Sequence, residues 1–125
     1  MVPAAYYDSS LPLPVMPVAF QPDRERDVDG LSFFREDFVS PIRLAAANEN
    51  ARGCCVTRLR VKDLHDLGLS VLPTPHPDEQ AGHVIVPEMS YGTYKNSKKQ
   101  VKDIQDKLAR KASAAIAHFK SPLKP

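Results

Sequence analysis

The sequence predicts an α+β domain: a small mixed or antiparallel sheet with a short helix, a long basic amphipathic C-terminal helix and an extended proline-rich N-terminal arm. The prediction rests on three features of the pattern. Residues 54–88 pass in succession through a β-favouring run, a two-turn helical pattern, a proline breaker and a second β-branched run. Residues 97–120 repeat apolar positions in steps of three and four. Residues 1–22 are punctuated by Pro12, Pro14 and Pro17, which delete the donors a central strand needs.

At 125 residues the chain fits one domain and can bury a core without staples. Three parts are expected: the arm (1–22), an α+β core (23–96), and the basic helix with its tail (97–125), packed on the same domain. Twelve prolines, about twice average usage, cluster in loops and ends.

Taken in order, the arm reads as extended or polyproline-like, and its apolar residues must cover something. Residues 23–30 are a charged link closing on the turn pair Asp29-Gly30. Leu31, Phe33 and Phe34 supply a strand over 31–35. Ser40 is an N-cap and Pro41 suits a first helical position, opening a helix over 41–50. Residues 54–59 form a strand centred on Val56. Val61, Leu64 and Leu67 share one face of a helix over 61–67, which Gly68 stops, with Leu69 placed to fold back on the last turn. A strand over 69–72 precedes the prolines of PTPHPDEQAG. Val84, Ile85 and Val86 mark a buried strand over 83–87. Residues 89–97 read as a loop carrying Tyr91 and Tyr94. The last helix, over 97–120, starts at Ser97 and aligns Val101, Ile104, Leu108, Ala112 and Phe119. Its alanine-rich end is expected to pack loosely.

Residues 95–125 carry nine Lys/Arg and two Asp, leaving the rest of the chain net acidic within a total of +2. The tail can attract the acidic body, an acidic partner or nucleic acid. Cys54 and Cys55 are adjacent; strand neighbours face opposite ways, so no disulfide framework or zinc quartet follows. Reduced thiols favour a cytoplasmic setting. The opening residues lack a basic start and an uninterrupted apolar run, so neither a signal peptide nor a membrane span is expected.

Chemical motifs are sparse. GxGxxG, GKS/GKT, GxSxG, HExxH and CxxC are all missing, so no metal or cofactor is called for. His65 is expected on an exposed helix face, His76 in the proline loop and His118 near the end of the basic helix. An enzymatic alternative assigns Arg24 or Arg26 to clamp a pyrophosphate, with Ser32, His83 and Glu88 nearby, as in ADP-ribosyl transfer or another toxin-like effector activity. At strand period His83 and Glu88 face opposite sides, which argues against a shared site. A nucleic-acid alternative uses Lys98, Lys99, Lys102, Lys107, Arg110 and Lys111 on phosphates, without sequence readout.

The favoured expectation is a non-enzymatic interaction module in an intracellular, bacterial assembly, binding a protein partner or a second copy and no membrane. Leu11, Leu13, Val15, Met16, Val18 and Phe20 of the arm, with Val101, Ile104, Leu108 and Phe119 of the helix, would carry the contacts. Removal of the arm should then abolish assembly and leave the body folded.

Overall fold

A computed structural model describes residues 2–3, 6–46, 54–74 and 82–120, the last four by their backbone. Along the described chain lie β1 (Val2–Pro3), β2 (Leu31–Phe34), α1 (Pro41–Ala46), β3 (Cys54–Thr57), α2 (Val61–Asp66), β4 (Leu72–Pro73), β5 (His83–Val86), α3 (Tyr91–Asn96), α4 (Lys98–Ser113) and β6 (Ile116–Lys120). The class is α+β and every strand pairing is antiparallel. The strands form two sheets rather than the one expected, in the orders β1-β3-β6 and β2-β5-β4. β3 takes both its neighbours from the chain ends, which leaves 83–86 to pair with Leu31–Phe34 and Leu72–Pro73.

Local chemistry explains the elements. In α1, the Ser40 hydroxyl accepts the Arg43 amide at 3.3 Å, and Pro41 opens the helix where its missing N–H costs nothing. At the end of α2, the Gly68 amide donates to the His65 carbonyl and the Leu69 amide to the Leu64 carbonyl. Gly68 holds φ at 78°, the left-handed turn a Schellman cap requires, and Leu69 joins Leu64 in the core. The cysteines follow strand alternation. Cys54 packs with Ala45 and Val56, while Cys55 enters the main core, and both are free thiols. Burial pushes the Cys55 thiol up to about 11, so it behaves as a small hydrophobe.

The strand expected over 54–59 ends at Thr57, and three elements differ more from expectation. The helix expected over 97–120 ends at Ser113, and Ile116–Lys120 returns as a strand on β3. Helical continuation would strand these residues beyond the body, whereas β3 offers an edge to satisfy their backbone. Phe119 therefore lies in β6, off the stripe of Val101, Ile104 and Leu108. The loop expected over 89–97 is instead a 3-10 turn, Pro87–Met89, followed by α3, whose N-cap Ser90 accepts the Thr93 amide at 3.2 Å. The strand expected over 69–72 begins only at Leu72. Leu69 is still tied to the helix cap, and Ser70 is held by Glu88. Residues 47–50 of the expected first helix, and His76 with the loop over 75–81, lie outside the described residues.

The core is built by the arm as much as by the sheets. Val2, Val15 and Phe20 are buried with Leu64, Met89, Val101, Leu108, Ala109 and Ala112. Two fully buried alanines, Ala109 and Ala112, let the arm approach α4 closely, so the alanine-rich end of that helix is tightly covered and not loose. Polar contacts fix the approach. The Val15 amide donates to the Ser113 hydroxyl at 3.0 Å, and the buried Gln105 amide donates to the Pro17 carbonyl at 3.1 Å. The arm is also internally paired, with the Met16 amide on the Tyr6 carbonyl and the Asp8 amide on the Pro14 carbonyl.

Candidate functional site

The two sheets do not meet edge to edge. Between β2 and β3 lies a cleft of about 350 Å³. That volume sits at the small end of ligand pockets, which run roughly 300–1,000 Å³. Its walls are apolar: Phe20 and Leu31 on one side, Val39 and Leu44 around α1, Val56 and Leu64 on the other. Its rim is charged, with Arg35, Glu36, Asp37 and Arg58.

Each wall has a local cause. Gly30 precedes β2 at φ 144°, and a Cβ there would meet the Val86 carbonyl oxygen, so only glycine lets the chain enter the strand this close to β5. After Phe34 the chain turns, with the Arg35 guanidinium 4.3 Å over the Phe38 ring. After β3, Arg58 crosses to the other sheet. Its Nε donates to both Glu36 carboxylate oxygens, at 3.0 and 2.8 Å. That bond holds the Glu36 carboxyl below its ordinary value and raises the Arg58 guanidinium. Both shifts strengthen the charged forms, the signature of an ion pair and the reverse of a poised acid or base.

The residues of the enzymatic alternative are not gathered in this cleft. Arg24 and Arg26 are exposed on the turn after the arm, and Arg26 sits 3.7 Å from Asp23. His83 is buried at the start of β5, its Nδ1 2.6 Å from the Thr74 hydroxyl and its ring edge-on to Phe34. Glu88 accepts both the Ser70 amide and the Ser70 hydroxyl, each at 2.7 Å. Burial would raise the Glu88 carboxyl, but these bonds and a further backbone hydrogen bond outweigh it and hold it below the ordinary 4.5. Arg26, His83 and Glu88 are each engaged by a different neighbour. Ser32 alone of the set lines the cleft.

The interaction residues divide. Val15, Phe20, Val101 and Leu108 are core, Ile104 packs against it, and Leu13 and Met16 are half-buried. Leu11 and Val18 are exposed at 40% and 39%. Lys98, Lys99, Lys102, Lys107, Arg110 and Lys111 all face outward on α4. Lys107 pairs with Asp103 at 3.0 Å, Lys111 approaches Asp63 at 3.8 Å, and Lys98 lies 5.8 Å over the Tyr94 ring. That face is therefore mixed in charge and partly self-neutralised.

Arg35, Glu36 and Arg58 did not stand out in the sequence. Glu36 and Arg58 are 22 residues apart, and no spacing rule links an acid after one strand to a base after another. Among the described residues no three His, Cys, Asp or Glu side chains are grouped to hold a metal, and no helix is long and apolar enough to cross a membrane. Comparison with models of known families, with curated proteins and with solved structures gave no match to this chain.

Proposed function

We propose that this protein is a binding module that receives part of a protein partner in the cleft between its two sheets. The observation that supports this reading is the cleft itself: apolar walls, about 350 Å³, and a rim whose Arg58–Glu36 pair is already neutralised within the chain. Binding sites combine apolar walls with a few placed polar groups, whereas catalysis at neutral pH favours a titratable group tuned toward that range. The arm and α4, expected to be the contact surfaces, bury each other and serve as the frame behind the sheets. The outward lysines of α4 then speed encounter with an acidic partner without forming the recognition surface.

The test compares capture of a partner from native cells by the wild-type protein, by Val61→Arg, and by Lys98→Glu/Lys99→Glu/Lys102→Glu. Val61 lines the cleft yet is half-exposed, so a charge there blocks the cavity while the side chain can still reach solvent. Capture is expected to be lost with Val61→Arg and slowed, with reduced salt dependence, for the lysine triple variant. Undiminished capture by folded Val61→Arg overturns the reading.

A further inference from the structure

We infer that the cleft is filled by strand addition: one extended peptide segment of the partner lies between the open edge of β2 and the open edge of β3. The inference rests on the binding reading above and adds to it the class of ligand and the bonds that hold it.

The run of lining residues carries the argument. A cleft walled by the face of a sheet is lined by alternate residues of a strand, because side chains alternate. Here all four residues of β2 line it consecutively, as do Val56 and Thr57 at the end of β3. A consecutive run means that the strand presents its edge. The topology agrees, since β2 is outermost in its sheet, and among the described residues β1 covers the central strand β3 at Cys54 and Cys55 and not at Val56 or Thr57.

The register identifies the groups on those edges. The Arg35 amide donates to the Gly82 carbonyl at 2.9 Å, and the two residues are direct partners one step beyond Phe34 and His83. Bonded and non-bonded pairs alternate along an antiparallel ladder. Leu31 and Phe33 therefore turn their backbone groups to β5, and Ser32 and Phe34 turn theirs away from it, toward the cleft. On the other side the Arg58 amide donates to the Ala115 carbonyl at 2.9 Å. Arg58 thus faces β6, and the backbone N–H and C=O of Thr57 face the opposite way. Among the described residues, no strand pairs with the Ser32, Phe34 or Thr57 edges.

An extended peptide matches this arrangement. Its backbone groups alternate left and right at about 3.3 Å per residue, so residues that bond Ser32 and Phe34 of β2 alternate with one that bonds Thr57 of β3. Its side chains alternate between the apolar walls and solvent. The cavity holds only a few residues, so β-branched and aromatic side chains suit its central positions. A compact organic ligand would leave the outward groups of Ser32 and Phe34, or those of Thr57, without partners.

The test pans a phage-displayed library of random linear peptides on the full-length protein. Enriched peptides should alternate apolar and polar residues. N-methylation of any one central amide should weaken them about tenfold, the loss of one well-made hydrogen bond. Ser32→Pro removes an outward N–H without touching the β5 ladder and should weaken binding similarly. Binders indifferent both to N-methylation and to Ser32→Pro overturn strand addition; if those binders are still lost with Val61→Arg, the cleft remains the binding site. An empty selection, or binders indifferent to Val61→Arg, overturns both. Should Ser32→Pro unfold, the N-methyl series on the wild-type protein decides.

Discussion

Glu88 shows how one carboxylate changes role when its neighbours are known. Its position after the β-branched run makes it a candidate carboxylate for the ADP-ribosyl-transfer alternative in the sequence. In the fold it ties the segment after α2 to the turn after β5, by accepting two hydrogen bonds from Ser70. Glu88→Gln keeps the shape but loses charge-assisted acceptance, and solvent screening at this half-buried site limits the cost to about 1 kcal/mol at neutral pH. The folded carboxyl titrates below 4.5, so its contribution is complete above that pH and fades as pH falls through the folded value. The stability difference between wild type and variant, measured by urea denaturation across pH, should therefore shrink below 4.5. A difference that persists unchanged in acid would mean that shape, and not charge, holds Ser70.

Among the elements, the pairing of the arm with α4 is the most consequential. Val15 is fully buried, and its amide depends on the side chain of Ser113 in the last turn of the helix. Ser113→Ala leaves that donor buried without an acceptor, at a cost of about 1–3 kcal/mol. Hydrogen exchange at the Val15 amide should accelerate markedly, while exchange in β5 should change only as far as global stability falls. The helix also ends where this contact is made. Beyond Ala114 the chain abandons its helical stripe for the edge of β3, because a strand there satisfies a whole row of backbone groups.

For the molecule as a whole, the arm behaves as core. Val2, Val15 and Phe20 each contribute roughly 1.5–3 kcal/mol by burial. Their sum is comparable to the roughly 5–15 kcal/mol that holds an average domain together. Deleting residues 1–20 is therefore expected to unfold the body, read as loss of dispersed amide resonances and of a cooperative melt. That outcome reverses the expectation from sequence, in which the truncated body stays folded. A truncated protein that remains cooperatively folded would restore the arm as a detachable contact surface.

Much of this architecture was legible in the residues. The Ser40-Pro41 helix start, the Gly68 stop with Leu69 folded back, the placing of Cys55 on the opposite face from Cys54 and Val56, and the VIV strand follow from local stereochemistry, which needs only a few neighbouring residues. So did the α+β class and the inward stripe of Val101 and Leu108. The candidate cleft was not legible. It depends on β3 pairing with the two ends of the chain, on a helix stopping at Ser113, and on Arg58 meeting Glu36 from another sheet. Periodicity states that a residue will be buried but is silent on what buries it. By itself the sequence determined which segments were helix or strand candidates and which faces were apolar. Only the tertiary structure decided that the proline arm completes the core, and that the edge of β2 and the end of β3 flank one cleft, because strand pairing is set by long-range contacts that no local pattern encodes.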